Sequence, residues 1–333
     1  MKGSVTHSLN SLLLPLMLVG CSLFAAAATR SVSKRGHGFF VEAFSHVSYT
    51  RRGGRRIGAF STPMFSSTTE DSIESKEKFD NDDDDDEKYS PWNHPNLAER
   101  AKNNKQAFRS RQHVNPLAKK FQQPTTLSEA WPMDVFDDLS KPVFLDIGCS
   151  RGGFLIDMAT KNPTDYNYLG LEIRPIVVYH AKERVEKHNL QGGLDFVGCN
   201  ANVDLERLLD LLTKEEGSGS VEMVTIQFPD PHFKARHAKR RVVTPELVQT
   251  LAKFMPEGAT VFLQSDVQSV LDEMRLQFRE QSEYFQDSEE SVETYIPENI
   301  LGVPTEREIS VVERDLPVYR AKFQRTDAAV SDN

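Results

Sequence analysis

Strands that alternate with helices at short intervals predict an α/β domain whose sheet is doubly wound and mostly parallel. Three observations carry that reading. Short apolar runs bounded by Gly or Pro recur between residues 142 and 263, each followed by a stretch that reads as a helix. A glycine-rich turn closes the first run, at the carboxyl end of a strand, where such sheets bind their ligands. The composition, 38% hydrophobic and 27% charged, excludes a collagen, a coiled-coil rod, a disulfide scaffold and a polytopic membrane protein.

The elements follow in order. Pro142–Ile147 is apolar, closed by Pro and Gly, and reads as a buried strand. Gly152–Ala159 is a helix, Tyr168–Ile173 a second strand and Arg174–His188 a second helix. Leu194–Val197 is a third strand, followed by helical Val203–Leu212. Val221–Ile226 and Thr260–Leu263 are the fourth and fifth strands; a helix at Pro245–Phe254 lies between them and another at Val267–Arg279 follows. The run Arg307–Gln324 is expected to supply an antiparallel pair that closes one edge.

At roughly 150 residues per domain, 333 residues would suggest two domains. The first ninety hold no plausible core, so one domain is expected, over 91–325, with a short disordered tail at 326–333. Residues 1–28 carry the apolar run Leu12–Gly20 and then small residues, the pattern of a secretory signal peptide, with a signal anchor as the alternative. Residues 29–69 resemble an organelle transit peptide: between Arg30 and Thr69 seven Lys/Arg face one acid, Glu42, amid many Ser and Thr. Together they read as a plastid address of the two-part kind used where plastids lie inside the endomembrane system, with mitochondrion or secretory pathway as alternatives. Residues 70–90 include the five aspartates Asp82–Asp86 and read as a self-repelling, disordered linker. The three cysteines form no C-x-x-C pair and no zinc spacing, so no metal is expected.

The formal charge of −9 is unevenly spread. Residues 89–279 hold 24 basic and 24 acidic side chains, yet Glu99–Lys120 has seven basic against one acid, and Lys234–Arg241 has five basic in eight. A neutral body with two cationic clusters suits a local polyanion contact. Residues 280–315 hold 11 acids and 2 bases, and most of them are expected to face solvent away from any polyanion.

The first strand ends Asp146-Ile-Gly148-Cys-Ser-Arg-Gly152-Gly153. A dinucleotide site wants G-x-G-x-x-G so that a pyrophosphate can sit on helix amides. Here Ser150 stands where the second glycine should be, and Asp146 would repel a pyrophosphate. S-adenosylmethionine carries an ammonium and a sulfonium but no phosphate, so the loop favours it over NAD. Glu172, ending the second strand, can accept two hydrogen bonds from ribose hydroxyls. Asn200 and Ala201 follow the third strand; Asn200 has the donor and acceptor needed to read an adenine edge, and serves equally as a helix cap.

The most specific stretch is Gln227-Phe-Pro-Asp230-Pro-His-Phe-Lys234-Ala-Arg236-His-Ala-Lys239-Arg240-Arg241. Two prolines fix the backbone of one aspartate over the cofactor's reactive end, and a cationic segment follows at once. With Arg109-Ser-Arg111-Gln-His113-Val-Asn-Pro-Leu117, Asp146-Ile-Gly148, Glu172-Ile, Asn200-Ala201, Ser265-Asp266 and Thr305-Glu-Arg-Glu308, this stretch resembles the transfer RNA (guanine-N7)-methyltransferase family of the bacterial and plastid type.

The resemblance implies a Rossmann-like fold of the S-adenosylmethionine-dependent methyltransferase type, with tRNA as substrate and no obligatory protein partner; no membrane is expected in the mature form, and the sequence leaves monomer and homodimer both open. It implies that Asp146, Gly148, Glu172, Asn200 and Ala201 hold the cofactor, and that Asp230 takes the catalytic position. Lys234, Asp266, Thr305 and Glu308 would contact the substrate, while Arg109, Arg111, His113, Arg236, Lys239, Arg240 and Arg241 would grip tRNA phosphates. Asp146 stands for a more usual Glu, Asn200 for a frequent Asp, Ser150 for a frequent Gly and His232 for a frequent Trp. The competing reading is a non-catalytic RNA-binding module that has kept the fold.

Overall fold

The computed structural model describes residues 90–103, 114–233 and 235–330. The expectations for 1–28, 29–69 and all but the last residue of 70–90 fall outside them. Among these residues a short helix, α1 (Leu97–Asn103), precedes seven strands and six further α-helices. The five predicted parallel strands are β1 (Val143–Ile147), β2 (Asn167–Glu172), β3 (Leu194–Gly198), β4 (Val221–Gln227) and β5 (Thr260–Ser265). Between and after them run α2 (Gly153–Lys161), α3 (Pro175–His188), α4 (Ala201–Thr213), α5 (Pro245–Phe254) and α6 (Gln268–Arg279).

Strand alternation sends side chains to two apolar layers. Leu145 and Ile147 of β1 pack with Leu205 and Leu208 of α4 and Leu251 of α5. Phe144 faces the other way, with Phe154 of α2, Ala181 of α3 and Phe196 of β3. Helices therefore cover both faces, and β1, β2 and β3 are buried along their whole length.

The expected antiparallel pair within Arg307–Gln324 is corrected. Its first half is a helix, α7 (Glu306–Val312), and only its end is a strand, β7 (Tyr319–Arg325). The other strand, β6 (Phe285–Asp287), comes from the acidic stretch. Ile309, Val311 and Val312 favour a strand locally, but Thr305 Oγ1 accepts from the Glu308 N–H at 3.0 Å and caps a helix start. The sheet order is β3-β2-β1-β4-β5-β7-β6, with β7 antiparallel to both neighbours.

Most of 280–315 is exposed or half-buried, as expected, but Phe285, Val303, Glu308 and Val311 are buried. The Asp287 side chain is paired with Arg275 Nη2 (2.8 Å) and Arg279 Nε (2.7 Å), and 305–307 line the main cavity. The start of the expected free tail is tied to the body: the Thr326 N–H donates to Tyr284 O at 2.9 Å, and Arg325 Nη2 donates to Ala328 O at 2.7 Å.

Candidate active site

The strand order reverses between β1 and β4, and a cavity of about 680 Å³ opens at their carboxyl ends. Asp146 lies opposite Thr225 in the β1–β4 register. Thr225 Oγ1 donates to its Oδ1 at 2.6 Å, and Gln227 Nε2 reaches the same oxygen at 3.5 Å. Only 4% of Asp146 is exposed. Burial pushes its pKa up to about 6, against the pull of those two hydrogen bonds, and the charge of Glu172 adds to the rise.

The turn after β1 reverses through three left-handed residues, Gly148 (φ 87°), Ser150 (φ 51°) and Gly152 (φ 70°). A Cβ on Gly152 would come within 2.2 Å of the Phe196 ring, whereas one on Gly148 would meet nothing within 4 Å. Glycine at 152 is thus demanded by packing, and Gly148 leaves open space above the turn. Ser150 adopts the backbone that a glycine takes without cost, and its Oγ accepts from Arg174 Nη2 at 3.2 Å.

Glu172, at the end of β2, is gripped by a residue that the sequence reading missed. Arg174 donates to Oε1 through its backbone N–H (2.9 Å) and Nε (3.0 Å), and to Oε2 through Nη2 (2.9 Å). Two residues past the end of β3, Asn200 caps α4 by accepting the Asn202 N–H on Oδ1 at 3.2 Å. Its Nδ2 donates to Phe121 O at 3.1 Å and Pro116 O at 3.3 Å. Asn200 therefore caps the helix and also lines the cavity, as does Ala201. Trp92 donates from Nε1 to Ile173 O at 3.1 Å, and its ring would clash with any Cβ on Gly198. The segment before β1 is in this way pinned over the ends of β2 and β3.

Asp230 lines the same cavity from the loop after β4. Phe228 (φ 49°) and His232 (φ 39°) flank it in the left-handed region, which non-glycine residues occupy at a cost and keep when surroundings enforce it. Part of the enforcement is visible: the Phe228 N–H donates to Gln264 O at 2.8 Å. Phe233, part of the same sequence motif, is 69% exposed at the cavity rim.

A 3-10 helix, Ala235–Arg240, carries the cations that follow. Arg236 and Lys239 are exposed and Arg240 lines the cavity. Arg241 turns towards α6, its Nε 3.0 Å from Glu273 Oε2. Arg109, Arg111, His113 and Lys234 lie outside the described residues.

Asp266 and Thr305 line the cavity, with Arg307 Nη2 donating to Asp266 Oδ2. Glu308 is placed elsewhere. It is 4% exposed and outside the cavity lining, accepting from Arg320 Nη2 (2.7 Å), Asn299 Nδ2 (2.7 Å) and Gln264 Nε2 (3.2 Å). Gln264 Nε2 also donates to Gln227 Oε1 at 2.7 Å, and Gln227 reaches Asp146. A chain of hydrogen bonds, part-buried at Gln227, thus runs from the acid of β1 to the helix beside Thr305. Polar residues at the ends of otherwise apolar β4 and β5 were its only sequence signal.

The donor set fits S-adenosylmethionine. Two buried carboxylates suit an ammonium and ribose hydroxyls, Asn200 lies at the third strand, and the space above Gly148 is open. A buried carboxylate, and no phosphate cradle, meets the first turn, and one antiparallel strand is inserted beside β5. That combination defines a class, the Rossmann-like methyltransferases that use S-adenosylmethionine.

Similarity to known proteins narrows the class. Residues 140–321 match the model of a family described as "Putative methyltransferase". The tRNA (guanine-N(7)-)-methyltransferase of Synechococcus elongatus is 50% identical over 222 residues, spanning 66% of this chain and 98% of that protein. The proteins of the same name from Thermosynechococcus vestitus and Prochlorococcus marinus are 45% and 44% identical over 217 and 218 residues. These alignments cover 65% of this chain in both cases, and 95% and 88% of the respective relatives. The chain belongs to the tRNA (guanine-N(7)-)-methyltransferase family.

Proposed function

We propose that this protein transfers a methyl group from S-adenosylmethionine to N7 of a guanine in the variable loop of tRNA. The observation that carries this reading is the Pro229-Asp230-Pro231 loop. It holds a carboxylate over the cavity that Asp146 and Glu172 also line, with a basic 3-10 helix directly behind it. Bound there, S-adenosylmethionine supplies a methyl group on a sulfonium centre.

Asp146 would hold the ammonium, Glu172 the ribose hydroxyls and Asn200 the adenine edge. Arg174 covers both oxygens of Glu172 in this structure and must yield or share them. Guanine N7 has an in-plane lone pair and no proton at neutral pH, so no general base is needed. Asp230 accepts hydrogen bonds from guanine N1–H and the 2-amino group, which fixes the base and offsets the positive charge that develops on it. The principal gain then comes from positioning. Arg236, Lys239 and Arg240 hold phosphates, and the target base must leave its stack to enter the cavity.

The protein acts without an obligatory partner, as a monomer or homodimer, and its leader directs it to a plastid. The two-part composition of residues 1–69 supports that address, as does the cyanobacterial source of the relatives. Among the described residues no helix is long and apolar enough to cross a membrane.

The test uses the purified chain, unmethylated tRNA transcripts and methyl-labelled S-adenosylmethionine, followed by chemical cleavage at N7-methylguanine. Label at one variable-loop guanine is expected. Cofactor binding without label would reject the substrate or the independence from a partner. No cofactor binding would return the chain to the RNA-binding alternative.

A further inference from the structure

A second cavity, of about 220 Å³, lies on the other side of the Pro229-Asp230-Pro231 loop. These three residues line both cavities, so a wall one loop thick separates them. Facing the loop across the smaller cavity are Val270 and Met274 of α6, with Val242 and Val243 from the segment that leaves the basic 3-10 helix. One charged pair stands among these apolar groups. Arg241 Nε lies 3.0 Å from Glu273 Oε2, yet the angle makes no hydrogen bond and leaves this buried donor unsatisfied. Such a donor has a standing cost, which a suitable acceptor would remove.

We propose that this cavity receives the nucleobase adjacent to the target guanine in the RNA strand, a proposal that rests on the substrate reading above. When a base is extruded from its stack, its neighbour is only one phosphate away. Whatever receives the neighbour must therefore lie within one nucleotide's reach of Asp230, and a cavity sharing Asp230 as its wall meets that demand. The cations agree with this placement. Arg240 lines the larger cavity and the next residue, Arg241, lines the smaller one. Two consecutive arginines thus stand on either side of the loop, where the phosphate joining two such nucleotides must cross. The chemistry of the lining suits a base as well. Proline, valine and methionine offer flat apolar contact to a ring face, and the Arg241–Glu273 pair can meet the donors and acceptors of a ring edge.

The test compares the full-length protein with two surface variants at this cavity. Glu273→Gln removes the carboxylate, and Leu276→Trp, at a residue 51% exposed, places bulk at the mouth. Each protein is given the parent tRNA transcript and two others, in which the nucleotide before or after the target guanine lacks its base. For the wild type, one of the two abasic transcripts should raise KM roughly ten-fold, the scale of losing one stacked base, with kcat changed far less. In Leu276→Trp the parent transcript should already show the raised KM, and the same abasic change should add little. In Glu273→Gln the wild type's preference among the four bases at that position should be weakened. The proposal is overturned if neither abasic transcript affects the wild type, or if the loss is equal in all three proteins. Cofactor affinity, read separately, identifies a variant that is merely misfolded; the other variant and the wild-type comparison then decide. A parent transcript that gains no methyl group in the wild type refutes the substrate reading itself, a result distinct from equal losses.

Discussion

Replacing Asp146 by Asn should make the cofactor-free protein more stable and the cofactor-bound state weaker. Asn keeps an oxygen for Thr225 and Gln227 and removes only the charge. The Asp146 pKa rises from 3.8 to about 6 on folding, chiefly through burial. A rise of about two units corresponds to about 3 kcal/mol of cost in keeping the carboxylate ionised within the fold. Because the folded pKa is raised, the folded form binds the proton more tightly. The cost is complete above about pH 6 and vanishes as the pH falls below 3.8. Urea unfolding without cofactor should therefore find Asp146→Asn more stable than wild type by up to about 3 kcal/mol near neutrality. The gap should close as the pH is lowered from 7 to 4, and reading the difference cancels the titration of other groups. Cofactor affinity of the wild type should weaken below about pH 6, while the variant binds weakly at every pH. A gap that does not change with pH, or a variant less stable at pH 7, would refute the assignment of a strained, buried charge.

Three further outcomes are expected. Asp230→Ala should lower kcat by roughly 10²–10³-fold, the scale of losing one donor or acceptor set for developing charge, while isothermal titration shows cofactor affinity nearly unchanged; near-normal turnover would defeat the role given to Asp230. Glu308→Gln leaves Arg320, 7% exposed, without its counter-charge and should cost about 3 kcal/mol or more in unfolding experiments; a loss confined to activity would instead place Glu308 at the substrate. Replacing Arg236 and Lys239 together by Gln should weaken tRNA binding and shrink its dependence on salt, by about one unit of log–log slope for each phosphate no longer neutralised. An unchanged slope would remove them from the interface.

The parallel core was legible because each of its strands is short, apolar and closed by Gly or Pro, and because the intervening helices are long enough to show their own spacing. The edge was not. In Arg307–Gln324 an antiparallel pair was expected, yet Ile309, Val311 and Val312 lie in a helix whose start the Thr305 hydroxyl caps. The strand that pairs with β7 on the side away from β5 is three residues long and lies in an acidic stretch, where composition suggested mostly solvent. Charge patterns mislead in such places, because two arginines of α6 can neutralise Asp287 from eight and twelve residues upstream in sequence.

Within the site, the acids were legible as types but their partners were not. Asp146 and Glu172 lie at or next to the ends of strands and Asp230 in a rigid loop after one, so topology alone brings them to one cavity. What each carboxylate meets there depends on how distant segments pack together. Thr225 lies 79 positions from Asp146, and Glu308 lies 44 positions from Gln264. That packing carries the difference between two residues of the same motif: Thr305 caps α7 and turns to the cavity, while Glu308, three positions on, is drawn inward by Arg320. The helix that presents Thr305 is thus held by the buried ion pair of Glu308. Loosening that pair should displace Thr305 and Arg307 together, even though neither is itself altered.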